Sequence, residues 1–211
     1  MQLSITHPNL VSIAVSHFQK GSVVVFPTET CYGIGTIGLK SNEKNIKKIF
    51  TLKSRPFNKP LSLLITKQMI NKFIKVNSKV QTFLEKVWPK NVTIILNCTI
   101  EASQILSPLI NVENPMKLAF RVPNHEVLLK IIEKVNSPII GTSANKSGST
   151  PKYDLLSISK EMKSDEIQLW IDAGRLPVIQ PSTILDLTNS RKPILLRRGD
   201  FALEEYFEYL P

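Results

Sequence analysis

The sequence predicts an α/β (α+β) domain in which helices flank a twisted, mixed β-sheet. Two observations support this fold class. Short runs of β-branched and other apolar residues recur along the whole chain, and segments with helical apolar spacing lie between them. The chain has 211 residues, of which 42% are hydrophobic, and this is enough to bury one sizeable core. We therefore expect a single domain that covers residues 1–211, with no second domain.

The first half of the chain alternates between helical and extended patterns. Apolar residues in 8–20 recur at helical spacing, and Gly21 can end that helix before a buried strand at Val23–Phe26. The next helix starts after a capping residue at 41 or 42. It ends before Pro56, because proline disfavours helical backbone in the residue that precedes it. The elements that follow are a strand at Leu61–Thr66, helices at 67–75 and 78–87, and a strand at Val92–Leu96.

The second half continues this alternation without any internal repeat. Strands at Lys117–Val122 and Pro138–Gly141 enclose a helix at 124–135, whose apolar residues follow the helical period. The remaining elements are a helix at 154–162, strands at 168–171, 183–187 and 193–197, and a last acidic segment that docks as a helix.

The composition indicates a basic intracellular protein. The chain carries 27 Lys and Arg residues against 17 Asp and Glu, for a net charge of +10. Such an excess favours polyanionic partners such as nucleotides or RNA, although a lysine-rich surface also serves solubility alone. The two cysteines form no paired motif and the three histidines lack metal-ligand spacing, so we expect free thiols and no metal site. Without a signal-peptide pattern or a membrane-length apolar run, the sequence predicts a cytoplasmic protein with no membrane partner.

A polar loop directly follows the first predicted strand. Thr28, Glu29 and Thr30 lie where an α/β sheet presents ligand-binding groups, and an ordinary proline-containing turn is the alternative. The glycines at 33, 35 and 38 match the GxGxxG fingerprint of dinucleotide-binding folds. However, the helix signals begin too late, and no acidic residue ends a second strand about 20 residues further on. These glycines instead allow a segment to turn back closely against a ligand or another strand.

Positively charged side chains mark two more segments. Lys53, Arg55 and Lys59 form a basic, proline-braced loop, which suits phosphate groups because arginine binds them through two donors. The alternative is a solvated basic helix end that the helix dipole favours. Arg121 ends a predicted strand on the face opposite Phe120, and a charge in that position usually has an anionic partner.

Hydroxyl and amide side chains lie next to two later strands. Thr142, Ser143 and Asn145 follow one strand, and Ser182 precedes another, so all four can face a ligand at the sheet edge. The small polar residues of 142–151 would equally suit a flexible linker. No serine has a histidine and an acid in a known local order, so the sequence gives only weak support to nucleophilic hydrolysis.

Six motifs in a fixed order give the chain a resemblance to a known family. They are PTETCYGIG at 27–35, Lys53-x-Arg55-Pro56 with Lys59-Pro60-Leu61, Arg121-x-Pro123, Thr142-Ser143-Ala144-Asn145 with Ser147-Gly148, Pro181-Ser182-Thr183-Ile184-x-Asp186, and Leu196-Arg197-Arg198-Gly199. Together they resemble the YrdC-like threonylcarbamoyl-AMP synthase family over nearly the whole chain, in its short, single-domain form. The resemblance implies a YrdC-like fold with an open ligand-binding concavity, and it makes 142–151 a ligand loop rather than a linker.

The resemblance implies L-threonylcarbamoyladenylate synthase activity, which is a nucleotidyltransferase reaction. In this family, L-threonine and bicarbonate or CO2 give a carbamate, which attacks the α-phosphate of ATP and releases pyrophosphate. The product goes to a partner enzyme that transfers the threonylcarbamoyl group to tRNA. Such a reaction needs positioning and charge neutralisation more than a nucleophile, in keeping with the cations and hydroxyls of the motifs. Mg2+ would arrive with ATP rather than in a protein cage.

The resemblance also implies which residues form the site. The threonine-binding positions are Thr30, Arg121, Gly141 and Ser182. The catalytic charges are Lys53, Arg55 and Arg121. The ATP-binding positions are Arg55, Lys59, Lys117, Ser143, Asn145, Pro151 and Arg197.

Three departures from the family pattern and two alternatives accompany this interpretation. Lys90-Asn91 replaces a usual Gly-Pro pair, Ala173 replaces a glycine, and Leu64 stands where many members carry a histidine. One alternative is an RNA-binding or ribosome-associated module of the same fold, and direct binding of tRNA or double-stranded RNA stays open. The other changes the acceptor, as in carbamoyl-adenylate domains of hydrogenase-maturation proteins. The hydroxyl-bearing motifs favour the enzyme, because RNA-reading folds typically use stacked aromatic residues.

Overall fold

A computed structural model of the chain describes residues 1–110, 117–162 and 165–210. Within these ranges there are seven α-helices and ten β-strands. The helices are α1 (Leu10–Gln19), α2 (Glu43–Leu52), α3 (Ile70–Phe73), α4 (Ser78–Val87), α5 (Ile100–Ile105), α6 (Glu126–Val135) and α7 (Leu155–Glu161). The strands are β1 (Gln2–Ser4), β2 (Val23–Pro27), β3 (Tyr32–Gly35), β4 (Ser62–Leu64), β5 (Val92–Asn97), β6 (Lys117–Arg121), β7 (Ile139–Ser143), β8 (Ile167–Asp172), β9 (Thr183–Asp186) and β10 (Ile194–Arg197).

The ten strands of the described ranges form one mixed sheet in the order β1-β8-β2-β3-β7-β4-β6-β5-β9-β10. Strand β8 pairs in parallel with β1 and β2, and parallel pairs also join β4 to β6 and β5 to β9. The remaining neighbours are antiparallel. With helices packed on this sheet, the structure confirms the predicted α/β class and the mixed strand directions.

The hairpin of β2 and β3 fixes the backbone on both sides of the polar loop. A Cβ atom added to Gly33 would lie 2.9 Å from the Phe26 ring, and one added to Gly35 would lie 1.8 Å from the Ile140 carbonyl oxygen. Only glycine fits at such distances, so the close return against another strand is confirmed. The returning segment is itself a strand, which the sequence did not indicate.

Several elements differ from the predicted ones. Strands β1 and β3 and helix α5 are too short or too glycine-rich to carry a clear sequence signal. The predicted strand at Leu61–Thr66 contracts to β4. The predicted helix at 67–75 splits into a 3-10 turn at Lys67–Met69 and α3, since Ile74 has extended backbone. The last acidic segment docks as a 3-10 helix over Leu203–Tyr209.

A continuous core of buried apolar residues connects the strands with the helices. All five residues of β2 are buried, and α1 packs against both β2 and α6. Each fully buried Val, Leu, Ile or Phe side chain in such a core contributes about 1.5–3 kcal/mol. None of the helices in the described ranges combines the length and hydropathy that crossing a membrane requires.

Candidate active site

A cavity of about 550 Å³ lies over one face of the sheet. Its floor includes Thr93 and Ile95 of β5 and Ala119 and Arg121 of β6, and residues two apart on a strand point to the same face. The site therefore extends over the sheet face, beyond the strand ends where the sequence placed it. The predicted site residues that line this cavity are Thr30, Arg55, Lys59, Arg121, Gly141, Ser143, Pro151, Ser182 and Arg197.

Thr28 organises the turn that carries Thr30. The Thr28 hydroxyl donates to the carbonyl oxygen of Cys31 at 2.7 Å, and the Thr28 backbone N–H donates to the same oxygen at 3.1 Å. The Thr28 and Thr30 hydroxyl oxygens are 3.1 Å apart. Thr30 is 6% exposed and still lines the cavity. The loop is therefore both a turn and part of the candidate site, because its hydrogen bonds hold the Thr30 hydroxyl towards the cavity.

The anionic partner predicted for Arg121 is Glu29. One terminal guanidinium nitrogen donates to Oε1 of Glu29 at 2.7 Å and to Oδ1 of Asn91 at 3.0 Å. The Arg121 and Glu29 side chains are 12% and 16% exposed, so water screens this pair only weakly. The backbone N–H of Asn124 also donates to Glu29 Oε1, at 3.1 Å. Arg121 therefore enters the cavity as an oriented cation that the loop after β2 holds in place.

Arg55 and Lys59 bring two more positive charges to the cavity from the loop after α2. The Arg55 Nε donates to the carbonyl oxygen of Lys59 at 3.1 Å, and one terminal nitrogen donates to that of Pro60 at 2.9 Å. The Arg55 side chain is partly withdrawn from water, and this burial lowers its pKa. The other terminal nitrogen has no hydrogen-bond partner among the described residues. The backbone carbonyl groups of this loop accept hydrogen bonds from Arg55. A basic helix end that only water solvates would not make these bonds.

The structure does not bring Lys53 into the cavity. The side chain is 1% exposed, and its ammonium group donates to the carbonyl oxygens of Ser143 and, at 2.7 Å, Asn145. The backbone N–H of Ser147 donates in turn to the Lys53 carbonyl oxygen at 2.7 Å. Burial, assisted by the charge of Arg55, lowers the pKa of Lys53 to about 8. The predicted catalytic charge therefore lies behind the loop of residues 143–149 and supports it.

Asn145 also acts inside the 143–149 loop. Its side-chain nitrogen donates to the carbonyl oxygens of Lys146 at 2.9 Å and Ser149 at 2.6 Å. Its side-chain oxygen is buried and has no hydrogen-bond partner. Among the residues that line the described cavity, Ser143 represents this loop and Asn145 does not. Asn145 thus shapes the loop from which the Ser143 side chain reaches the cavity.

Glu161 of α7 fixes the 143–149 loop from the other side. One carboxylate oxygen accepts from the backbone N–H of Lys146 and from the Ser149 hydroxyl, both at 2.6 Å. The other oxygen pairs with the Lys152 ammonium at 2.7 Å. Burial raises the pKa of Glu161, but the bonds from Lys152, Ser149 and Lys146 outweigh it and lower the pKa to about 2. Glu161 therefore stays ionised at neutral pH and acts as a clamp.

Ser182 and Arg197 form the opposite wall of the cavity. Arg197 donates from Nε to the Ser182 carbonyl oxygen at 2.9 Å and from a terminal nitrogen to the Ser182 hydroxyl at 3.0 Å. That hydroxyl oxygen also lies 2.9 Å from the Thr93 hydroxyl. Burial, and then the positive charge of Arg121, lower the pKa of Arg197. The two neighbouring positive charges create a favourable place for an anion.

Lys117 is the third predicted residue outside the described cavity lining, after Lys53 and Asn145, and two residues at the site carried no usable sequence signal. Lys117 begins β6, four residues before Arg121, and is absent from the described lining of the cavity. Thr93 lies in a β-branched run that is typical of a buried strand, so its hydroxyl is easily overlooked. Asn91 was visible only as a departure from the family pattern.

A cavity over a mixed α/β sheet, with four cations and several hydroxyls in its described lining, defines a site suited to an anionic, nucleotide-sized ligand. Comparison with known proteins identifies the family of this chain. The chain belongs to the Sua5/YciO/YrdC family, whose model, described as telomere recombination, matches residues 16–199.

Relatives named threonylcarbamoyl-AMP synthase occur in both archaea and bacteria. The protein of Pyrococcus abyssi is 31% identical over 197 residues, which are 92% of this chain and 55% of the relative. The protein of Bacillus subtilis is 31% identical over 209 residues, which are 97% of this chain and 57% of the relative. The chain thus spans a little more than half the length of these two relatives.

Solved structures confirm the fold. P. abyssi Sua5 complexed with L-threonine is 29% identical and superposes with a TM-score of 0.85, over 100% of this chain and 60% of the other. E. coli YciO, at 22% identity, superposes with a TM-score of 0.83 over 98% of both chains and supports the fold alone.

Proposed function

We propose that this chain is an L-threonylcarbamoyladenylate synthase, a nucleotidyltransferase that uses L-threonine, bicarbonate or CO2, and ATP. One observation carries the proposal. A single cavity combines the cations Arg55, Lys59, Arg121 and Arg197 with hydroxyl groups and contains no paired nucleophile and base among its described lining. The names of the relatives and the threonine complex of the P. abyssi protein support the same activity.

The threonine would bind between the loop after β2 and the wall at Ser182. Arg121 is held from behind by Glu29, so its remaining donors suit the threonine carboxylate or the carbamate made from it. Thr30 and Ser182 present hydroxyl groups on either side. Gly141 lines the cavity without a side chain, which leaves room for the amino acid against the backbone.

The chemistry requires an oriented anion and a neutralised phosphate. The threonine nitrogen attacks the carbon of CO2 and gives up a proton to form the carbamate. A carbamate oxygen then bonds to the α-phosphorus of ATP as the bond to the pyrophosphate oxygen breaks, and the electron pair leaves with pyrophosphate. Arg55 and Lys59 would stabilise the charge on the phosphates. A preorganised charge of this kind is typically worth a factor of about 100 to 1,000 in rate.

Mg2+ would enter with the triphosphate. No Asp or Glu belongs to the described lining of the cavity, and the described ranges contain no group of three or more His, Cys, Asp or Glu that could hold a metal. Phosphate oxygens are hard ligands that suit Mg2+, which usually keeps several waters. The ion would therefore supply further charge neutralisation at the phosphates while the protein contributes Arg55 and Lys59.

The proposal extends to the use of the product. An acyl adenylate is an activated group donor, so a partner enzyme would transfer the threonylcarbamoyl group to tRNA. The alternative RNA-binding function has less support, because Phe26 is the one aromatic residue in the described lining and it is buried in the core. Base-stacking platforms need exposed aromatic faces.

The deciding experiment is pyrophosphate release from ATP with bicarbonate, measured with and without L-threonine. We expect release that depends on threonine and on bicarbonate, and formation of a threonylcarbamoyl adenylate by mass spectrometry. Release that ignores threonine, or no release while a known synthase is active in parallel, would contradict the proposal.

A further inference from the structure

We propose that Asn91 determines amino-acid specificity by fixing Arg121 relative to Ser182. The inference rests on the proposed function and adds a residue that neither the site motifs nor the family resemblance assigned. Asn91 lies in the turn before β5, and β5 runs between β6, which ends at Arg121, and β9, which follows Ser182. The turn is thus placed between the two walls of the cavity.

Asn91 connects the two walls through three hydrogen bonds. Its Oδ1 accepts from Arg121 at 3.0 Å, and its Nδ2 donates to the carbonyl oxygen of Gln180 at 3.2 Å. Its backbone carbonyl accepts from the N–H of Thr183 at 3.1 Å. Gln180 and Thr183 enclose the segment that carries Ser182, so one residue holds the guanidinium on one side and the serine segment on the other.

The distance between the Arg121 guanidinium and the Ser182 hydroxyl determines which amino acids can bind to both. Arg121 would bind the carboxylate end of the substrate and Ser182 its side-chain hydroxyl, so both contacts form only at the correct spacing. Misplacement by about 1 Å can cost about 100-fold in rate. A site built to hydrogen-bond a hydroxyl also discriminates strongly against analogues that place it wrongly.

Few side chains can replace asparagine in this position. A carboxamide offers an acceptor for Arg121 and a donor for the Gln180 carbonyl at once, whereas a carboxylate only accepts and an aliphatic side chain does neither. The Gly-Pro pair usual in the resembled family has no side chain that could make either bond. In this chain the connection between the walls is therefore built by the residue that departs from the pattern.

The test compares Asn91→Ala and Asn91→Asp with a matched control, Asn97→Ala. Asn97 ends β5, at the opposite end of the strand from Asn91, and its side-chain nitrogen donates to the Thr188 carbonyl oxygen at 3.1 Å rather than to either wall of the cavity. For Asn91→Ala we expect a rise of about 10-fold in the KM for L-threonine, the scale of one hydrogen bond to a charged group. The preference for L-threonine over L-allothreonine, which places its hydroxyl differently relative to the carboxylate, should fall, while the KM for ATP stays within about 2-fold.

The aspartate variant separates the two side-chain bonds. It keeps an acceptor for Arg121 and loses the donor to Gln180, so we expect a smaller rise in the KM for L-threonine than with alanine. Asn97→Ala should leave both KM values and the threonine preference unchanged. These results together would support a positioning role.

Two results would overturn the inference. One is an unchanged KM and preference in Asn91→Ala. The other is an equal rise of both KM values with a lower Tm, which would indicate general loosening of the fold. Calorimetric titration with L-threonine checks the same contacts without catalysis. If the wild type binds threonine but Asn91→Ala binds it equally well, Asn91 has no such role, whereas a wild type without threonine-dependent turnover refutes the proposed synthase instead.

Discussion

Lys53→Met removes a buried charge while it keeps nearly the length of the side chain. The ammonium group of Lys53 holds the carbonyl oxygens of Ser143 and Asn145 from inside the protein. Burial lowers the pKa of this lysine from 10.5 to about 8. The stability of the wild type relative to the methionine variant should therefore change with pH in one direction only.

The sign follows from which state holds the proton. Between about pH 8 and 10.5, the unfolded chain keeps the Lys53 proton and the folded chain releases it, so a rise in pH favours the folded state. The gap between the two pKa values corresponds to about 3 kcal/mol at about 1.4 kcal/mol per pH unit. Below about pH 8 the full cost of burying the charge is present, and it disappears as the pH approaches 10.5.

At neutral pH, Lys53→Met should lose less stability than the removal of its two hydrogen bonds alone would cause. Two hydrogen bonds from a charged donor contribute about 1.5–3 kcal/mol each, and their removal is offset by relief of about 3 kcal/mol of burial cost. We expect Lys53→Met to be destabilised by about 0–3 kcal/mol at pH 7, and by about 3 kcal/mol more near pH 10.5.

Urea unfolding at several pH values measures this difference. The control is Lys47→Met, whose side chain is 55% exposed and pairs with Glu43 on the surface of α2, so its difference from wild type should not show the rise expected for Lys53→Met. Parallel stability curves for wild type and Lys53→Met, or a difference that shrinks as the pH rises, would refute the reasoning.

Three further predictions concern the site and its supporting loop. Arg55→Ala should slow threonine-dependent pyrophosphate release by about 100-fold or more, and an unchanged rate would exclude Arg55 from the phosphate site. Thr30→Val should raise the KM for L-threonine by about 10-fold without affecting that for ATP, which steady-state kinetics would show. Glu161→Gln should be less stable than wild type at pH 7, and the difference in urea midpoints should shrink as the pH falls from 4.5 towards 2, where Glu161 is protonated; a constant difference would contradict the clamp.

The sequence could predict elements whose signal is local. Helix α6 and strands β2 and β5 match closely because their apolar residues follow one period over several turns or form a continuous run. Strand β3 shows why others could not be predicted. Its glycines are needed where the Phe26 ring and the Ile140 carbonyl approach, and that need arises only once the neighbouring strands are in place.

The same limit applies to the basic loop after α2. Lys53 and Arg55 are two residues apart and look equivalent as sequence, since both are cations in the same short segment before Pro56. In the structure Arg55 lines the cavity, whereas Lys53 is 1% exposed and faces backbone carbonyl groups. Long-range packing against the 143–149 loop separates their roles, and a single sequence contains no record of that contact.

The sequence predicts an anionic partner for Arg121, but this prediction alone does not say what Arg121 does in the site. An anionic partner was expected, and the structure provides Glu29, so the pair carries no net charge. The contribution of Arg121 to anion binding is then mainly directional, through donors that Glu29 and Asn91 hold in place. In the proposed complex with ATP, the protein's net positive charge at the triphosphate would come from Arg55, Lys59 and Arg197. This division implies that loss of Arg121 should weaken binding of threonine far more than binding of ATP, whereas loss of Arg55 should do the reverse.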